Sequence, residues 1–134
     1  MKRLLVLAVL ILPTTGFAQL LDAAKVRPIL NITKTQWVAV REWEGRDLLY
    51  FTHLLTWRCG LTRIEYSVNS TAADQVWRFT PCDPSAANPM ALPPEQVIYR
   101  GYELKSIQNV TVKITYDDGD TDMISYDRKA IQIQ

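Results

Sequence analysis

The stretch Asn109-Val110-Thr111-Val112-Lys113-Ile114-Thr115-Tyr116-Asp117-Asp118-Gly119-Asp120 decides the fold class. Val110, Val112, Ile114 and Tyr116 alternate with Thr111, Lys113 and Thr115, so one face of an extended chain is apolar and the other polar. Asp118-Gly119 then supplies turn chemistry, and a second alternating run through Ile124 and Tyr126 makes the segment a β-hairpin. A plain two-residue loop would set Ile124 and Tyr126 on the wrong face. A three-residue loop over Asp118, Gly119 and Asp120, or a bulge, is therefore expected, with Ile114 opposite Ile124 and Val112 opposite Tyr126.

Working upstream, Val97 to Tyr99 reads as a strand that Tyr102 to Ile107 continues less regularly. Pro81 to Pro94 holds five prolines and must be loop. Gln75 to Phe79 is a short strand, and Thr62, Ile64, Tyr66 and Val68 form a clean alternating one. Gln36 to Trp43, the turn Glu44-Gly45-Arg46-Asp47 and Leu48 to Arg58 read as a hairpin, with Leu49, Phe51, His53, Leu55, Trp57 and Cys59 on the core face. Between Gln19 and Lys34 a short helix is expected from Leu20, Leu21, Ala24 and Val26, with Pro28 ending it or starting another.

About seven short strands with turns every 8–12 residues point to an all-β fold, an antiparallel β-sandwich or a small barrel, and the immunoglobulin-like sandwich is the commonest form at that strand count. The chain is expected to hold one such domain, residues 19–134, behind a leader. Met1-Lys2-Arg3, the apolar run Leu4 to Leu12 and the small-residue exit Gly16-Phe17-Ala18 have the layout of a secretory signal cleaved after Ala18. The run covers under half of the roughly 20 residues a membrane-spanning helix needs, so no membrane insertion is expected after cleavage. The expected location is the periplasm or the exterior.

Without residues 1–18, 13 basic residues face 14 acidic ones, and a net charge near −1 gives no attraction for nucleic acid. Cys59 and Cys82 are the only cysteines, and an even count in an exported chain reads as a disulfide. Closing that loop of about 24 residues is worth on the order of 3 kcal/mol.

Catalytic motifs are missing: there is no Gly-x-Ser-x-Gly elbow, no His-Glu-x-x-His and no phosphate loop among the five glycines. His53 is the one histidine, hence the one candidate for histidine acid–base work, with Asp47 or Asp74 as a carboxylate partner. A packed, hydrogen-bonded ring is the plainer account of it. Asp117, Asp118, Asp120 and Asp122 could together hold calcium but match no twelve-residue calcium loop, and Asp-Gly is ordinary turn chemistry. Trp37, Arg41 and Trp43 share one face of the first predicted strand: as an exposed aromatic–arginine strip they would form a binding surface, and buried they are simply core, with Val38 and Val40 competing for the inside. Asn31, Asn69 and Asn109 each begin a glycosylation sequon, which matters only in a host that glycosylates.

Four segments carry a resemblance: Trp37-Val38-Ala39-Val40-Arg41-Glu42, Asp47-Leu48-Leu49-Tyr50-Phe51-Thr52-His53-Leu54-Leu55, Trp57-Arg58-Cys59-Gly60-Leu61 and Tyr116-Asp117-Asp118-Gly119. Through them the chain resembles small uncharacterised secreted proteins of alphaproteobacteria. That likeness implies a periplasmic location and no activity. The functional expectation is a non-catalytic periplasmic interaction or scaffolding module without cofactor, its partner an exported protein or a small ligand. A carbohydrate- or calcium-dependent binding domain is the alternative, and a small hydrolase using His53 a more distant one.

Overall fold

The computed structural model describes residues 9–11 and 21–134. Apart from residues 9–11, the expected leader and its cleavage point lie outside the described residues. No helix among them is long and apolar enough to cross a membrane.

Two four-stranded sheets make a β-sandwich. The first has the order β5-β2-β1-β8, from strands Ala39–Trp43 (β1), Arg46–Tyr50 (β2), Tyr99–Glu103 (β5) and Gln132–Ile133 (β8). The second runs β4-β3-β6-β7, from Leu61–Val68 (β3), Gln75–Trp77 (β4), Asn109–Tyr116 (β6) and Thr121–Asp127 (β7). All neighbours are antiparallel except β1 and β8. Val40 and Leu49 from the first sheet share one core with Ile64, Tyr66, Val110, Val112 and Ile114 from the second.

The alternation in β6 holds: Val110, Val112, Ile114 and Tyr116 are all buried. The hairpin loop has three residues as expected but lies one position earlier. The Tyr116 amide donates to the Asp120 carbonyl at 2.8 Å, and Gly119, at φ +89°, closes a loop of Asp117, Asp118 and Gly119. Val112 therefore faces Ile124, Val110 faces Tyr126, and Ile114 faces Asp122. The reason is local. A three-residue hairpin places its left-handed residue last, and only Gly119 takes that conformation without strain.

The run after Leu48 departs most from expectation. β2 stops at Tyr50, Thr52–Thr56 is a helix (α2), and Arg58–Gly60 is a 3-10 turn. The buried set is Phe51, Leu54, Leu55 and Arg58, spaced at three, four and seven, which is a helical stripe. Consecutive Leu54 and Leu55 cannot both face the core from a strand; one turn of helix lets them. The first strand is shorter too, because a 3-10 turn over Lys34–Gln36 precedes it.

The N-terminal helix α1 spans Ala23–Ile32, with Pro28 inside it, and is capped by the Asp22 carboxylate, which accepts from the Lys25 amide. Its buried stripe is Ala23, Val26 and Leu30. Cys59 and Cys82 form the expected disulfide, with Cα atoms 5.3 Å apart. Cys59 reaches it from the 3-10 turn, not from a strand end. The segment from Pro81 to Pro94 contains no helix or strand.

Candidate recognition face

The two outer sheet faces differ in chemistry. On the second sheet, Arg63, Glu65, Lys113 and Thr115 set a polar surface with Met123 exposed among them. On the first, cross-strand pairing aligns Ala39 with Tyr50 and Tyr99, Arg41 with Leu48 and Gly101, and Trp43 with Arg46 and Glu103. Parallel pairing adds Ile133 beside Arg41. Trp43, Tyr99 and Ile133 are each about half exposed, at 50%, 47% and 48%.

These side chains are ordered by contacts among themselves. The Arg41 guanidinium carbon lies 4.1 Å from the Trp43 ring centroid, and the Tyr50 and Tyr99 rings pack 5.3 Å apart. Arg46 lies so close over Gly101 that a β-carbon there would meet its guanidinium at 2.0 Å. Neither Arg41 nor Arg46 has an ion pair among the described residues. Aromatic rings, arginines and few acids are what protein-recognition surfaces concentrate.

At one end of this face lies a cavity of about 350 Å³, lined by residues of the β1 approach, by Arg41, Tyr50, Thr52 and His53, and by Ile133. Of the predicted strip, the structure sets Arg41 and Trp43 together on the surface and removes Trp37 from it. Trp37 precedes β1 in helical conformation, at φ −58° and ψ −39°, so the strand's alternation does not extend to it. Its indole is fully buried and donates to the Leu30 carbonyl at 3.0 Å, tying α1 to the sandwich.

His53 stands on α2, its Nε2 2.9 Å from the Thr33 hydroxyl. That hydroxyl donates its single hydrogen to the Ile29 carbonyl at 2.7 Å, so it must accept from His53, and Nε2 carries the proton. Burial lowers the pKa of the ring. Neither Asp47 nor Asp74 hydrogen-bonds to it.

Asp47 is instead completely buried beneath the face. It accepts two hydrogen bonds from Arg128, at 2.5 and 3.0 Å, and one each from the Lys105 and Ile107 amides. Arg128, the first residue of a short helix (α3, Arg128–Ile131), and the two amides hold the carboxyl down to about 2. Its role is architectural: it joins β2 to the segment after β5 and to the end of β7.

The four turn aspartates are likewise occupied. Asp117 accepts from the Ala23 amide, Asp118 and Asp120 receive Arg27, and Asp122 receives Lys34. Asp117, Asp118 and Asp120 dock α1, with Asp117 at its positive N-terminal end, while Asp122 holds Lys34 just beyond its C-terminus. Among the described residues no three metal-ligating side chains of histidine, cysteine or acid type converge.

One polar centre had no sequence motif to announce it. Arg58, 2% exposed, has no carboxylate partner and donates to four carbonyls: Thr80 at 2.6 Å, Leu55 at 3.1 Å, Met90 at 2.9 Å and Ala91 at 3.1 Å. It fastens the proline-rich loop next to the disulfide.

No protein-family model, curated protein or solved structure matches the chain.

Proposed function

We propose that the protein is an exported, non-catalytic interaction module of the periplasm, built on an immunoglobulin-like sandwich, that docks a partner on the outer face of its first sheet. The single observation carrying this reading is the company of Trp43, Tyr99 and Ile133: three half-exposed apolar side chains on one sheet face, beside two arginines without carboxylate partners. Large exposed apolar groups gathered on one side indicate contact surfaces, and unpaired arginines favour an acidic one.

The strand order supports the immunoglobulin-like part. β1, β2 and β5 share one sheet while β4, β3, β6 and β7 share the other, so both β2 to β3 and β5 to β6 cross between sheets. This interleaving matches strands A, B and E facing C′, C, F and G. The disulfide differs, since it joins a 3-10 turn to a loop rather than two facing strands. Export is supported by the disulfide, which is at home in an oxidising compartment. A non-catalytic role is supported by His53, whose recorded partner is a threonine.

The test is site-specific photocrosslinking in cells, with the crosslinker at position 43, 99 or 113. The same adduct from positions 43 and 99, absent from position 113 on the opposite sheet, is the expected result. Equal labelling from all three positions, or none, overturns the reading.

A further inference from the structure

Away from the recognition face, a cleft of about 240 Å³ separates β4 from the segment entering β5, lined by Val76, Trp77, Arg78, Val97 and Arg100. β4 and β5 are edge strands of different sheets, so the cleft opens where the sandwich has two unpaired borders. Its polar side chains are all donors. Trp77 is 3% exposed, and its indole N–H is buried without an acceptor. A buried N–H without a partner is rare enough in folded proteins to require an explanation.

The two arginines have capacity to spare. The Arg78 guanidinium makes no hydrogen bond or ion pair among the described residues. Arg100 gives one N–H to the Tyr66 hydroxyl at 2.5 Å, and its guanidinium carbon lies 5.5 Å from the Trp77 ring centroid. No carboxylate lines the cleft. Glu95 borders a neighbouring groove that shares Arg78 and Val97 and forms no ion pair with the arginine. Glu65, paired across the strands with Val76, is engaged by Arg63 at 3.2 Å.

We propose that this cleft binds a small oxyanion, a carboxylate or a phosphate, held between Arg78 and Arg100 with the Trp77 indole N–H as a third donor. Guanidinium groups match the paired oxygens of both anions. The volume lies below the roughly 300–1,000 Å³ of sites for larger ligands, which limits the occupant to a small anion or an anionic group at the end of a chain. Bound there, the anion bridges the two sheets at their open edge and stabilises the folded state by mass action. This site is independent of the recognition face.

The experiment is titration of the protein with sodium phosphate and, separately, sodium acetate, at ionic strength held constant with sodium chloride. The Trp77 indole N–H is followed by NMR and the melting temperature in parallel. A saturable shift of the Trp77 resonance, with a rising melting temperature, is expected for at least one anion, and the preferred one names the chemistry. Arg100→Gln and Arg78→Gln, both at exposed positions, are each expected to weaken it about ten-fold, as loss of a charge-assisted hydrogen bond does. A shift that fails to saturate with either anion, or saturation unchanged in both variants, overturns the proposal.

Discussion

Asp47 and Arg128, 81 positions apart, meet through two hydrogen bonds, Nη1 to Oδ2 at 2.5 Å and Nη2 to Oδ1 at 3.0 Å. With the Lys105 and Ile107 amides on the same oxygens, the carboxylate is saturated although no water reaches it. Asp47→Ala leaves both amides without their acceptor and the Arg128 guanidinium with Glu42, at 3.1 Å, as its remaining carboxylate. Loss of one partner of a buried pair costs about 3–5 kcal/mol, and urea denaturation is expected to return a value in that range.

The same carboxylate gives the protein an acid-sensitive window. Its pKa is about 2 when folded, against 3.8 ordinarily, so the unfolded chain takes up the proton first. Its contribution, about 2 kcal/mol, is complete above pH 4 and declines as the pH falls toward 2. Asp47→Asn is expected to be less stable at neutral pH and to show a shallower stability loss through that window in acid titrations followed by circular dichroism.

His53 is expected to titrate below its ordinary 6.5 and, when neutral, to carry its hydrogen on Nε2. The depressed pKa means that protonation favours the unfolded chain, so stability declines as the pH falls below 6.5. Nitrogen chemical shifts of the ring report both properties. Thr33→Val removes the acceptor and is expected to mix the two tautomers, whereas a pure Nδ1–H form in the parent protein would refute the geometry.

Gly60 is constrained by packing. A β-carbon there would lie 2.8 Å from the Val26 β-carbon and 3.0 Å from the Asp22 carbonyl oxygen. Gly60→Ala therefore pushes α1 off the sandwich, at a cost of about 1–3 kcal/mol. Val26→Ala in the same chain removes the methyl at 2.9 Å but keeps its own β-carbon at 2.8 Å, and the Asp22 backbone also stays in the way, so it is expected to recover only part of the loss; thermal melts of the single and double variants check this.

Arg58 and the disulfide hold one loop by different means. Arg58→Leu, with the disulfide intact, is expected to make residues 81–94 protease-sensitive, since the Thr80, Met90 and Ala91 carbonyls lose their donor. Cys59→Ser with Cys82→Ser removes the covalent closure, worth about 3 kcal/mol, but leaves the guanidinium contacts. Limited proteolysis and melting temperature separate the two effects: the first variant shows the greater loop cleavage, the second the greater drop in melting temperature.

What could be read in advance was whatever repeats. The period-two alternation of β6, the paired cysteines and the proline-rich loop each have a local pattern, and each stands in the structure. The stretch from Leu49 to Cys59 satisfies two periods at once, and the strand reading missed that Phe51, Leu54, Leu55 and Arg58 also fit a helix. Trp37 had the right parity for the exposed strip, but parity means nothing outside the strand. For Arg41 and Trp43, inside it, parity gave the shared face, while which way that face points is set by the pairing of the sheet. Arg58 and Arg128 look like ordinary surface arginines in sequence, because most of their acceptors come from 21 to 86 positions away.

The docking of α1 on the turn at 117–122 and the pairing of β1 with β8 also have a meaning in time. Ala23 waits for Asp117, 94 positions later, and Val40 for Gln132. As the chain is synthesised, β1 can pair with β2 at once, but α1 lacks its Asp117 acceptor and β1 its second neighbour until those residues exist. Closure of such distant pairings is slow, and the chain stays open for as long as its clasp is unmade. A fold clasped this way completes itself from its far end rather than in the order in which it is made.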